Sequence, residues 1–164
     1  MRALADLLDT ISRIVATITR VACVAVLFVM LGLLATQVVA RYVFDAPPTW
    51  TEELAITLFA WLVLMFATVG VREGFHVAVD FLTESSPAIL RHTSDRIILV
   101  LAVVLGVALT MSGWRYVIET GGQMSAAMQY PIEALHAAAP VCGILVVLHA
   151  VARFFKPDIV LADD

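Results

Sequence analysis

VACVAVLFVMLGLLATQVVA, Val21 to Ala40, is a run of twenty residues without a charged side chain. As a helix rising 1.5 Å per residue it covers about 30 Å, the thickness of the hydrocarbon of a bilayer. One such run fits a buried core helix as well as a membrane crossing. Three more follow: Leu54 to Val71, Ile97 to Trp114 and Ala134 to Ala152. The chain has 164 residues, 62% hydrophobic and only 15% charged, where a soluble domain carries about 25% charged residues. Four uncharged runs in so short a chain read as an integral membrane protein. Helices satisfy their backbone groups internally, which lipid requires. The expected fold is all-α, with a four-helix transmembrane domain over 21–156. An amphipathic N-terminal segment, 1–20, precedes it and a tail, 157–164, follows.

The net charge of −4 is small and no basic patch is present, so nucleic acid is not an expected partner. Cys23 and Cys142 fall at different depths of their runs, which disfavours a disulfide. A cleaved signal peptide fits poorly, because the first apolar run is long and starts after about twenty residues.

Basic residues set the expected orientation. Arg2, Arg13 and Arg20 precede the first run, Arg72, Arg91 and Arg96 lie in the second link, and Arg153 and Lys156 follow the last run. The other two links hold only Arg41 and Arg115. The positive-inside rule then places both termini in the cytoplasm. Tyr42, Phe44, Trp50, Trp114, Tyr116 and Tyr130 gather where the chain meets the opposite face, at the headgroup level that such rings favour.

The ends of the runs carry local signals. Leu4, Leu7, Leu8, Ile11, Ile14, Val15 and Ile18 repeat at helical spacing. They describe an amphipathic helix on the inner surface, or equally an extension of the first helix packed on a neighbour. Pro47-Pro48 turns the chain, and Thr49-Trp50-Thr51-Glu52 has the spacing of a capping box that starts the second helix. Gly74 is suited to end that helix, and Ser86-Pro87 to begin the third. Arg91 and Asp95 have the spacing of an i,i+4 ion pair. Gly121-Gly122 closes the third helix. Pro140 lies inside the fourth and is expected to kink it. Gly70, Gly74 and Ala137 to Ala139 are candidates for close helix approach.

Three of these stretches carry a resemblance. Arg41-Tyr42-Val43-Phe44, then Pro48, Trp50 and Glu52-Glu53-Leu54-Ala55, resembles the small permease subunit of tripartite ATP-independent periplasmic (TRAP) transporters. So do Arg72-Glu73-Gly74, His76-Val77, Val79-Asp80, and the last helix with Pro131, Ala139-Pro140-Val141 and Gly143. The resemblance covers roughly Arg20 to Lys156. It implies a bacterial or archaeal inner-membrane protein that forms a stable heterodimer with a large permease subunit. That subunit would carry a solute, often an organic acid, inward on an ion gradient. A periplasmic solute-binding protein would deliver the solute. By this match Arg41, Trp50, Glu52, Glu53, Arg72, His76 and Asp80 are candidates for partner contact or fold stabilisation. Arg41 and Glu53 are expected to form salt bridges or hydrogen bonds at the outer rim, and each is a candidate partner for the other.

The residues themselves agree with a supporting role. A coupled transporter needs polar ligands near the midplane, often on interrupted helices. The four runs hold no Asp, Glu, Lys or Arg. The same lack of an intramembrane carboxylate argues against a small proton-coupled exporter. The alternative reading is a haem-binding anchor subunit of an electron-transfer complex. His136 and His149 sit about 20 Å apart on one helix, however, and His76 and His92 lie in a link, so no facing pair forms. His76 and Asp80 have i,i+4 spacing without further ligands to complete a metal site. No cofactor, metal or catalytic residue is expected, and no enzyme.

Overall fold

The structure is a computed structural model, and it describes residues 2–46, 48–74 and 88–155. Its helices are α1 (Arg2–Phe44), α2 (Thr49–Glu73), α3 (Ala88–Glu119), the single turn α4 (Glu133–His136) and α5 (Ala138–Phe155). Four helical segments, with α4 and α5 counted as one, are long and apolar enough to cross a membrane. They run up, down, up and down. Both ends of the described chain therefore lie at one end of the bundle, here the terminus-bearing end. The α1–α2 turn and the α3–α4 loop occupy the other, the hairpin end.

α5 is the centre of the arrangement. It packs most extensively on α3, then on α2 and more lightly on α1, while α1 packs chiefly on α2. In its apolar window 39% of the residues are buried, against 11–17% in the other three spans. The order across the layer is α3, α5, α2, α1. α3 rests on α5 and on little else, so Leu101, Val104, Leu105 and Met111 are exposed in the isolated chain.

The α3–α5 contact depends on missing side chains. A Cβ placed on Gly143 would come within 2.5 Å of the Gly106 carbonyl oxygen, and one on Gly113 within 2.7 Å of Pro140 Cδ. Small residues let membrane helices approach backbone to backbone. Ala138, 1% exposed, belongs to the same core.

The expected ends of the helices are met in part. Gly74 closes α2 in the left-handed conformation, φ 74°, with its amide bonded to the Gly70 carbonyl. Gly122, φ 80°, follows α3 closely. The last span is interrupted at Ala137, between α4 and α5. Pro140 has no amide hydrogen to offer the His136 carbonyl, which accounts for a break one turn earlier. Trp61 Nε1 donates to the Ala134 carbonyl at 2.9 Å, satisfying an oxygen that this break exposes.

The capping box does not form. Pro48 takes the N-cap position without a side-chain cap, and Thr49 is already helical. From that position the Thr49 hydroxyl cannot reach the Glu52 amide. Thr51 donates instead to the Pro48 carbonyl at 2.7 Å.

Residues 2–20 continue into the first span without a break. Ser12, Ala16, Thr19 and Cys23 are buried, whereas Leu4, Leu7, Ile14 and Ile18 are more than half exposed. This is the extension packed on a neighbour. His76, Asp80 and Ser86-Pro87 lie outside the described residues, as do the side chains of Arg91 and His92 and the tail 157–164.

Candidate functional site

The polar chemistry of the bundle is collected at its two ends. At the terminus-bearing end, α1 presents Asp9 and Ser12 on the stripe that continues through Ala16, Thr19 and Cys23. Spacing of three and four residues keeps all five on one helix face. Arg72, in the last turn of α2, reaches across. Its Nη2 donates to Asp9 Oδ1 at 3.0 Å and its Nη1 to Ser12 Oγ. The two charged side chains are only 12% and 13% exposed. Ser12 Oγ also meets His149 Nδ1 of α5 at 2.7 Å, and both residues are fully buried. One guanidinium thus joins three helices through a chain of four side chains.

Further arginines surround this cluster. Arg20 of α1 pairs with Glu73 of α2. Arg153 of α5 donates to the Val71 carbonyl at 3.2 Å, and its guanidinium lies against Gly74. Arg96 of α3 donates to the Phe154 carbonyl at 2.7 Å and covers the Phe154 ring. Arg153 and Arg96 therefore hold the C-terminal carbonyls of α2 and α5, where orphan acceptors and the negative end of the helix dipole favour a cation. The basic residues that suggest an orientation also tie the helix ends together.

The hairpin end is built differently. Glu53 Oε2 accepts from the backbone amides of Ala127 and Met128, at 2.8 and 2.9 Å. This fastens the α3–α4 loop to the first turns of α2. Thr57 one turn on meets the Tyr130 hydroxyl at 2.6 Å. The loop is also closed on itself. The Ser125 amide donates to the Tyr130 carbonyl and the Tyr130 amide to Ser125 Oγ, Gln129 at φ 55° donates to the Ser125 carbonyl, and Gly122 donates to Glu133 Oε1. His136 Nδ1 lies 2.8 Å from Thr120 Oγ1 and its ring packs on Tyr116.

The candidates from the sequence divide sharply. Arg72 and Glu53 are the hubs of the two clusters. Arg41 is exposed and meets no hydrogen-bond or ion-pair partner among the described residues. Its expected pairing with Glu53 is not formed, because Glu53 is turned toward the loop. Trp50 is 44% exposed and Glu52 is exposed. The sequence reading missed Asp9, Ser12, His149, Arg153, Tyr130 and Trp61. The signal for the first two was the small and polar stripe, which runs along α1 beside the more conspicuous leucines.

Among the described residues, neither end offers a recognisable reaction centre. No group of three metal-ligating side chains occurs among the described residues. His136 and His149 engage Thr120 and Ser12, and the electron-transfer alternative is not favoured. Between α1 and α2 a groove of about 320 Å³ passes Ala22, Cys23, Val26, Leu58 and Trp61 and is lined almost wholly by apolar side chains. It suits a hydrocarbon chain better than a charged solute.

Comparison with known proteins gives one consistent result. A family model described as "Tripartite ATP-independent periplasmic transporters, DctQ component" matches residues 30–158. A C4-dicarboxylate TRAP transporter small permease protein DctQ of Vibrio cholerae is 32% identical over 80 residues, 49% of this chain and 34% of that protein. A sialic acid TRAP transporter small permease protein SiaQ of the same species is 24% identical over 157 residues, 91% of this chain and 86% of that one. A sialic acid TRAP transporter permease protein SiaT of Haemophilus influenzae is 37% identical over 73 residues, 44% of this chain but 12% of that protein. The chain thus spans about a third of the DctQ relative and about an eighth of the SiaT relative.

Proposed function

We propose a function from one premise: the chain belongs to the DctQ component family of tripartite ATP-independent periplasmic transporters. It is a transmembrane small permease component. Its finer role is to bind and support a large permease subunit, in a stable heterodimer, during ion-gradient-driven uptake of a solute. The solute class is an organic acid, delivered by a periplasmic binding protein that meets the complex transiently. The setting is the inner membrane, with both termini inside, and the chain has no catalysis of its own.

The distribution of polar groups carries this reading. Ion and solute pathways need polar ligands at mid-depth. Here the charged side chains and their networks sit at the ends, and the middle of the bundle is glycine, alanine, apolar side chains and hydroxyls such as Thr110 that bond within their own helix. The helices are held to one another at both ends and expose apolar flanks, chiefly on α1 and α3, to lipid or a partner. The SiaT match supports the partnership. A segment similar to this chain occurs within a permease protein most of which lies outside the match.

The test is co-expression with a large TRAP permease subunit from the same organism. The two are expected to purify together at equal stoichiometry, and uptake by cells lacking the small subunit is expected to return only when it is supplied. Normal uptake without it, or failure of the two to associate in mild detergent, would contradict the proposal.

A further inference from the structure

The terminus-bearing cluster contains one atom with nothing to bond. His149 Nε2 is buried and meets no hydrogen-bond partner among the described residues, although Nδ1 of the same ring lies 2.7 Å from Ser12 Oγ. The residue is 0% exposed, so bulk water does not reach it.

Counting protons decides which ring nitrogen carries hydrogen. Arg72 donates to Ser12 Oγ, and a guanidinium accepts nothing in return. The Ser12 hydroxyl keeps its single proton, and His149 Nδ1 is the acceptor within reach. If the hydroxyl donates there, the proton of the neutral ring sits on Nε2, and one buried donor is left over. The reverse arrangement strands both the hydroxyl hydrogen and Nε2. Buried polar groups are nearly always paired, so the first arrangement is favoured.

Register shows what lies beside that donor. α2 and α5 run parallel. Cys142 Sγ reaches the Leu64 carbonyl, and Arg153 Nη1 reaches the Val71 carbonyl. With equal rise along two parallel helices, these contacts put His149 opposite residues 67–71 of α2, the turn that carries Thr68. Thr68 is 0% exposed, and its hydroxyl donates to the Met65 carbonyl at 2.7 Å. Its oxygen lone pairs remain open to a donor.

We propose that a resident water sits where α1, α2 and α5 meet, accepting from His149 Nε2–H and donating to Thr68 Oγ1. A buried water needs two to four polar partners, and this pair supplies a donor and an acceptor. The water extends the Asp9–Arg72–Ser12–His149 chain from the bundle end into its interior. His136 gives an internal contrast. The Thr120 hydroxyl has a second acceptor, the Tyr116 carbonyl at 2.8 Å; donating there, it takes the hydrogen of His136 Nδ1. On this assignment the two histidines of the last span are opposite tautomers.

The experiment uses the full chain, labelled with ¹⁵N-histidine and reconstituted in phospholipid bilayers. Two-bond ¹H–¹⁵N correlations identify the protonated nitrogen, and magnetisation transfer from water reports its neighbour. Backbone correlations assign the rings, so no substitution is needed for assignment. His149 is expected to be protonated at Nε2, with transfer from a bound water, and His136 at Nδ1. Thr68→Val is expected to abolish the water transfer at His149 while its tautomer persists, and Thr68→Ser to restore it. A proton on His149 Nδ1, no water transfer at Nε2–H, or undiminished transfer in Thr68→Val would each overturn the proposal.

Discussion

The two ends of the bundle solve the same problem with different chemistry. At the terminus-bearing end long side chains from α1, α2 and α5 reach one another, and a mostly buried guanidinium satisfies Asp9 and Ser12 together. At the hairpin end a carboxylate holds the amides of a loop, with solvent close by. The first arrangement fixes helix against helix. The second fixes a loop against a helix and leaves the helix packing to other contacts. Removing the hub should therefore cost much more at one end than at the other.

The largest effect is expected from Arg72→Ala. It leaves Asp9 without its cation and Ser12 without its donor in a site that excludes most water. Breaking such a pair from one side costs about 3 kcal/mol, read as a loss of unfolding free energy in bilayer-like discs. A loss below that of the hairpin-end variants would reverse the comparison.

Next comes the contact that belongs to neither end. Gly143→Leu forces side-chain atoms against the Gly106 and Thr110 backbone. Overpacking of this kind costs about 2 kcal/mol and should loosen α3, seen as faster amide exchange along α3 with α1 and α2 unaffected.

Glu53→Gln should act locally. The amide side chain keeps one acceptor oxygen and loses the charge. The amides of Ala127 and Met128 are expected to exchange faster while the unfolding midpoint shifts less than in Arg72→Ala. Unchanged exchange at those two amides would remove Glu53 from its place as the hub.

The smallest effect on the chain alone is expected from Arg41→Ala, within about 0.5 kcal/mol, since this exposed side chain has no partner among the described residues. Any effect should appear only in affinity for the large subunit. A large loss of stability in the isolated chain would show that Arg41 works within the fold.

The span pattern was legible because lipid imposes it: twenty uncharged residues have few other uses. The helix stop at Gly74 and the disturbance at Pro140 were legible because each follows from one residue's backbone chemistry. The packing face of α1 was harder to read. In water the leucine and isoleucine stripe would face inward, but in a bilayer apolar side chains gain nothing by leaving lipid. The small and polar stripe of Ser12, Ala16 and Thr19 turns inward instead. Glu53 and Arg72 could be singled out by type and position. Their partners could not, since a backbone amide at Met128 leaves no mark in sequence, and Ser12 and His149 are 137 residues apart. Close approach through Gly106, Gly113 and Gly143 depends on which helices meet, which four similar apolar runs do not reveal.

The central claim is that this bundle, polar at its ends and apolar in its middle, supports a pathway without containing one. Purified chain reconstituted alone in vesicles, under an imposed sodium or proton gradient, tests it most directly. Solute accumulation is predicted to stay at the level of empty vesicles and to rise only when the large permease subunit and the binding protein are added. Gradient-driven accumulation by the chain alone would contradict the account.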